Sequence, residues 1–332
     1  MAKKILVTGG TGFLGSALVV RLVRDGYTVR VLDNQSRGAA RRIAEVIDKV
    51  ELIEADIRDP QAVARATKGM ESVVHLAFIN GTEFFYTMPQ LVLDVAVRGM
   101  INVLDACVEH DVADLSVASS SEVYQSPPEV PTDESTPLSV PDPLNPRYSY
   151  GGGKIISELM ALNWGREHFQ RVVVFRPHNV FGPDMGWEHV VPQFAVRMKQ
   201  LCLKHTAGTV VFPIQGSGRE TRSFVYIDDF TNGLLRVIEQ GEHRNIYNIG
   251  TTEELSIVQV AQAVGACFGR DVEITPGALA EGSTLRRCPD IGKLEELGYR
   301  PAFTFRQGLT PTVQWYVANT DMAPKKTEPS SR

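Results

Sequence analysis

Up to Arg176 the chain keeps repeating one unit: a short apolar or β-branched run, a turn, then a stretch with helical spacing. The runs are 5–8, 28–32, 50–54, 72–76, 115–118 and 172–176, and the helical stretches between them are 12–25, 39–48, 60–67, 89–110 and 149–168. Runs so short and so uniformly apolar, with helices between them, predict a parallel sheet covered on both faces. The expected fold class is therefore α/β, a doubly wound Rossmann-type sheet.

The rhythm changes after Arg176. Gly- and Pro-rich loops follow, with strands expected at 209–214 and 224–227. We expect the main α/β unit over 1–176, to which 223–250 returns through Asn245–Ile249. Residues 177–222 and 251–320 would form a smaller C-terminal substrate-binding lobe, and 321–332 a solvated tail. Seven prolines between Ser126 and Arg147 rule out a helix there and predict a fixed surface loop leading into the helix that starts near 149.

A net charge of −5 without a basic cluster speaks against nucleic acid as a partner. No stretch approaches the roughly 18 apolar residues of a membrane span, and the apolar run at Ile5–Val7 is too short for a signal peptide. Cys107, Cys202, Cys267 and Cys288 are widely spaced, which fits reduced thiols, so a cytoplasmic location is expected. His75 and His178 have no companion ligand at a useful spacing, and no metal is expected.

Gly9, Gly12 and Gly15 follow a strand and open a helix, so the backbone can approach a pyrophosphate at the helix N-terminus. The bland alternative is a tight turn; the surrounding βαβ context favours the nucleotide. Asp33 closes the second strand 18 residues after Gly15, where a carboxylate can accept from an adenosine ribose and would repel a 2′-phosphate. NAD is thus expected over NADP. Asp56 follows the third strand and can either meet the adenine edge or cap a helix.

Tyr150 and Lys154 stand four apart on a helix and so share a face, which lets an ammonium lie beside a phenol and stabilise its anion. A phenol of ordinary pKa about 10 then becomes a usable base.

These features recur in order with Thr8-Gly9-Gly10-Thr11-Gly12-Phe13-Leu14-Gly15, Asp33-Asn34, Asp56-Ile57, His75-Leu76-Ala77, Ser119-Ser120-Ser121-Glu122-Val123-Tyr124, Tyr150-x-x-x-Lys154, Arg176-Pro177-His178-Asn179, Thr221-Arg222-Ser223 and Arg287-Cys288-Pro289-Asp290. From about residue 3 to 316 the chain resembles the extended short-chain dehydrogenase/reductases, in particular the NAD-dependent nucleotide-sugar epimerase/dehydratase family. The resemblance implies that NAD is held by Gly9, Gly12, Phe13, Leu14, Gly15, Asp33, Asn34, Asp56, Ile57, Leu76, Ala77, Tyr150, Lys154 and Pro177. It implies that Ser120 hydrogen-bonds the reacting sugar oxygen while Tyr150 takes its proton, and that Lys154 both depresses the tyrosine and holds the nicotinamide ribose. Asn179, Arg222 and Arg287 would bind the nucleotide-sugar diphosphate, with Ser121 beside the sugar.

The expected reaction is epimerisation, at C4, through a transient 4-keto sugar. Glu122 leaves alternatives open. A carboxylate near C5 of such a sugar could serve dehydration, decarboxylation or 5-epimerisation, and it could equally be a turn carboxylate paired with a cation. A catalytically silent NAD-binding protein is the rival of a different class. The resemblance also implies a homodimer through the helices at 89–110 and 149–168. Two departures from the family pattern are Ala96, where many relatives have Asn, and Gln125, where glycine is usual.

Overall fold

The computed structural model describes residues 2–278 and 284–324. The first strands and helices are β1 (Lys4–Thr8), α1 (Phe13–Arg24), β2 (Thr28–Asp33), β3 (Val50–Glu54), α2 (Pro60–Thr67), β4 (Ser72–His75), α3 (Thr82–Thr87) and α4 (Pro89–Glu109). They are followed by β5 (Asp114–Ala118), α5 (Tyr148–Trp164), β6 (Arg171–Pro177), β7 (Val180–Phe181), α6 (Val190–Lys204) and β8 (Val210–Pro213). The remainder runs β9 (Thr221–Ser223), β10 (Val225–Tyr226), α7 (Ile227–Gln240), β11 (Asn245–Ile249), β12 (Glu254–Ser256), α8 (Ile257–Cys267), β13 (Val272–Thr275), β14 (Arg286–Arg287), α9 (Gly292–Glu296) and α10 (Phe305–Ala318).

Seven parallel strands form the central sheet in the order β11-β6-β5-β4-β1-β2-β3. Successive residues of each strand enter opposite cores: Ile5 and Val7 join one buried cluster while Leu6 joins the other, and Val173 and Phe175 oppose Val172 and Val174 in the same way. That two-sided burial is why the strands read as unbroken apolar runs. The sheet is the doubly wound Rossmann-type architecture anticipated from the repeat.

The helix expected over 39–48 is instead a 3-10 helix at Ala40–Lys49, with a non-helical break at Ile43. Its buried residues, Ile43 and Val46, stand three apart, the period at which a 3-10 turn stacks side chains on one face. Helix α3 has no counterpart among the sequence expectations. The strand expected at 224–227 shrinks to the two residues of β10.

β11, from late in the chain, lies beside β6 at the edge of the main sheet. The smaller sheets β12-β9-β14 and β13-β8 stand apart from it. The proline-rich loop is docked: Thr132 donates its N–H to the Cys288 carbonyl (2.9 Å), and the Asp290 N–H returns to the Thr132 carbonyl (2.8 Å). Residues 320–322 form a short 3-10 turn, and the rest of the expected tail, 325–332, lies outside the described residues. Among the described residues no helix is long and apolar enough to cross a membrane.

Candidate active site

A cavity of about 480 Å³ opens over the C-terminal ends of β1, β2, β4, β5 and β6. Helices approach it from both flanks, the position where open parallel sheets take ligands.

At one end is the glycine turn. Gly9 adopts φ +73°, and a Cβ there would stand 2.7 Å from the Ala77 nitrogen. A Cβ on Gly15 would come within 2.1 Å of the Gly9 carbonyl oxygen, so only glycine permits the turn to close. Helix α1 starts with no side-chain cap and no acid in its first turn, leaving its N-terminal N–H groups free for an anion. Beside it the Thr11 hydroxyl is buried without a hydrogen-bond partner among the described residues. Asp33, nearly buried, accepts from the backbone of Thr11 (2.9 Å) and Gln35 (2.7 Å), which aims its remaining lone pairs at the cavity rim. Asp56 is held by Arg58 and by the Asn34 amide, and the Arg58 hydrogen bond draws its carboxyl down to about 2. These features fit a dinucleotide.

At the other end β5 delivers Ser119, Ser120 and Ser121, and α5 delivers Tyr150 and Lys154. Ser120 caps a short 3-10 turn by accepting from the Glu122 N–H (3.2 Å). Lys154 donates to the Ala118 carbonyl (2.7 Å) and stands 3.8 Å from the centre of the Phe78 ring. Phe85 stacks on Tyr150 at 4.7 Å and Phe78 meets it edge-on at 5.2 Å.

This aromatic wall has an electrostatic cost. Burial pushes the Tyr150 phenol up to about 12, against a lowering hydrogen bond from Ser120 and a further rise from the Glu122 charge. Burial likewise draws Lys154 down to about 7, with Glu158 opposing it. Burial thus sets the net direction of the phenol's shift, upward, opposite to the one expected from the spacing. The ammonium is directed at Ala118 and Phe78, 5.9 Å from the tyrosine ring centre.

Glu122 accepts from Arg287 (2.6 Å) and lies 3.9 Å from Arg147. Burial raises its carboxyl, but Arg287, Arg147 and Arg222 together outweigh that and hold it below the ordinary range. Arg287 and Arg222 are register partners on β14 and β9, an approach of like charges that Glu122 relieves. Burial, then Arg287, lowers Arg222 to about 10.

Most of the expected site residues line the cavity: Gly9, Gly12, Phe13, Leu14, Gly15, Asp33, Asn34, Asp56, Ile57, Leu76, Ala77 and Pro177 at the nucleotide end, with Ser120, Ser121, Glu122, Tyr150, Lys154, Asn179 and Arg287 at the other. Arg222 does not. Its guanidinium is spent on the carbonyls of Thr221 (2.7 Å) and Thr284 (2.6 Å). Asn179 reaches the cavity while its amide bonds the Ser223 carbonyl (2.8 Å).

Sequence reasoning passed over Phe78, Phe85, Arg147 and Glu158. Glu158 was within reach, since the four-residue step from Tyr150 to Lys154 leads to it. Arg37 is bonded to Glu188 and lies over Phe84 at 4.7 Å. Trp187 packs on Trp315 and Tyr316. His75 bonds the Thr8 hydroxyl (2.8 Å), and burial draws it down to about 3. Ala96 fits beneath Gly153, and Gln125, at φ +52°, braces the Glu122 carbonyl with its amide. Among the described residues no group of three or more His, Cys, Asp or Glu could hold a metal ion.

The sheet order, the glycine turn and the Tyr-Lys helix define an extended short-chain dehydrogenase/reductase, a class of NAD-dependent enzymes. The model for the NAD dependent epimerase/dehydratase family matches residues 5–250, and the chain belongs to that family. It is 32% identical over 319 residues to UDP-glucuronic acid decarboxylase 1 of Xenopus tropicalis, covering 95% of this chain and 72% of that one. It is 31% identical to a putative UDP-glucose 4-epimerase of Methanocaldococcus jannaschii, covering 95% and 99%. A solved dTDP-glucose 4,6-dehydratase from Streptomyces venezuelae, with NAD and TYD bound, superposes with a TM-score of 0.84 at 31% identity, covering 96% and 98%.

Proposed function

We propose that the protein is a nucleotide-sugar 4-epimerase that oxidises C4 of its substrate and reduces it again from the other face. The observation that carries this reading is the convergence of Ser120, Tyr150 and Lys154 in one cavity with the glycine turn. NAD, when bound, supplies the hydride acceptor and donor. The residues proposed to hold it are Gly9, Gly12, Phe13, Leu14, Gly15, Asp33, Asn34, Asp56, Ile57, Leu76, Ala77 and Pro177, together with Tyr150 and Lys154 at the nicotinamide ribose. Ser120 hydrogen-bonds the C4 oxygen, Tyr150 takes its proton and later returns it, and Lys154 supplies the positive charge a phenolate needs. Ser121 lies beside the sugar, and Asn179 and Arg287 reach the diphosphate. Arg222 acts from behind Arg287, reinforcing the positive field.

The Glu122–Arg287 contact supports a second reading. A carboxylate held ionised beside Tyr150 can remove a proton acidified by the C4 ketone, so that dehydration, decarboxylation or 5-epimerisation follows the same oxidation. A panel of UDP- and dTDP-sugars and sugar acids, with products read by mass spectrometry and by proton NMR of the sugar ring, separates these outcomes. A product of unchanged mass inverted at C4 alone supports 4-epimerisation, and inversion at C5 or loss of water or carbon dioxide overturns it. Tyr150→Phe abolishes turnover in every version; full activity in that variant would refute the proton-transfer role.

We further propose a cytoplasmic homodimer joined through α4 and α5. Leu93, Ile101, Ile156 and Leu159 are exposed along these two helices and support that face. The NAD-binding unit is taken as 1–176 with 223–250, the nucleotide-sugar lobe as 177–222 with 251–320.

A further inference from the structure

The face of α5 that carries Tyr150 and Lys154 continues to a third buried polar residue. Glu158 lies four residues beyond Lys154 and is 2% exposed. Its carboxylate accepts from the Ser119 hydroxyl and from Arg176, at Nε (2.8 Å) and Nη2 (2.7 Å). Arg176, on β6, also donates to the Tyr124 hydroxyl (2.7 Å), which donates in turn to Asn248 on β11 (2.8 Å).

A fully buried ion pair is a weak source of stability, because desolvation consumes most of its attraction. What it holds here is the site. Ser119 directly precedes Ser120, Arg176 directly precedes Pro177 at the cavity wall, and Glu158 shares its helix with the two proton-transfer residues. Lys154 is itself buried and, among the described residues, has a single hydrogen bond, to Ala118. The ionisable groups facing it are His75 from β4, held neutral by burial, and Tyr150 and Glu158 from α5. Behind them stands Arg176 of β6, whose charge is taken up by Glu158. Among these, Glu158 brings the one negative charge.

We propose that Glu158 is a positioning residue of the proton-transfer site. By tying Ser119 and Arg176 to the helix of Tyr150 and Lys154, it fixes the three reacting side chains in one geometry and favours the ammonium form of Lys154. This rests on the proton-transfer reading of Tyr150 and Lys154.

The test compares the full chain with Glu158→Gln, with Glu158→Gln/Arg176→Gln, which removes both members of the buried ion pair, and with Ser119→Ala. NMR of 13Cε-labelled lysine, assigned with Lys154→Met, follows the Lys154 titration without needing a substrate. In either folded Glu158 variant the midpoint falls by about one pH unit or more, and kcat on the substrate found in the panel falls roughly tenfold with KM within about threefold. An unmoved midpoint in a folded Glu158 variant overturns the proposal. Should neither Glu158 variant fold, Ser119→Ala decides: a roughly threefold or greater loss of kcat at unchanged KM supports the anchoring role, and wild-type turnover overturns it. Tyr150→Phe keeps the two readings distinct. If it retains turnover, the proton-transfer reading fails; if it is inactive while the Glu158 variants behave as wild type, only the role of Glu158 fails.

Discussion

Lys154→Met should make the protein more stable, and the gain should depend on pH. Burial takes the Lys154 ammonium from an ordinary 10.5 to about 7. At about 1.4 kcal/mol per tenfold, that descent corresponds to roughly 5 kcal/mol withheld from folding while the lysine is protonated. Between the two values the unfolded chain binds the proton and the folded one does not. Stability of the wild type therefore rises with pH across that window, by about 1.4 kcal/mol per pH unit. The penalty is complete below about pH 7 and gone above about 10.5. Methionine has no proton to exchange. It orphans the Ala118 carbonyl, a loss of about 1–3 kcal/mol that does not vary with pH. At pH 6 the variant should be the more stable by roughly 2–4 kcal/mol, and about 2 kcal/mol of that advantage should vanish between pH 7 and 9. Urea unfolding of both proteins, freed of nucleotide and followed by circular dichroism from pH 6 to 9, measures this. Parallel pH curves, or a variant less stable at pH 6, would show that the lysine is not carrying a buried-charge penalty.

Three other substitutions probe the backbone. Gly15→Ala should weaken NAD binding roughly tenfold or more by calorimetry while the circular dichroism spectrum is kept, because its Cβ would strike the Gly9 carbonyl at 2.1 Å and open the turn. Gly152→Ala should stabilise by about 1 kcal/mol through helix propensity, since its Cβ meets only Val140 at 3.6 Å. Gly153→Ala should instead cost about 1–3 kcal/mol, because the new methyl would stand 2.8 Å from Ala96 and push α4 from α5. Thermal unfolding of the pair reads both signs.

What the sequence discloses and what it conceals follow from the range of each interaction. The strands are legible because two-sided burial writes itself into four or five consecutive residues, as in Val172–Phe175. The glycine turn and Tyr150–Lys154 are legible because their geometry is complete within a few residues. Nothing local announces that Glu122 meets Arg287, 165 positions away, or that Arg222 is turned aside by the carbonyls of Thr221 and Thr284. The phenol's rise to about 12 depends on Phe78 and Phe85, brought in by a loop and by a helix of six residues too short to show a period. Burial at the site thus reverses an expectation drawn from spacing alone.

The position of β11 has a bearing on how the chain is made. β6 is complete at Pro177, yet its neighbour begins only at Asn245. During synthesis at about 5–20 residues per second, the Val-rich edge of β6 stands without its neighbour for roughly 3–14 seconds. A fragment ending near residue 177 would keep that edge open permanently, a template for pairing with other chains. The nucleotide half is therefore a poor candidate for expression by itself. For a nascent chain, the interval before Asn245 emerges is when a chaperone would matter most.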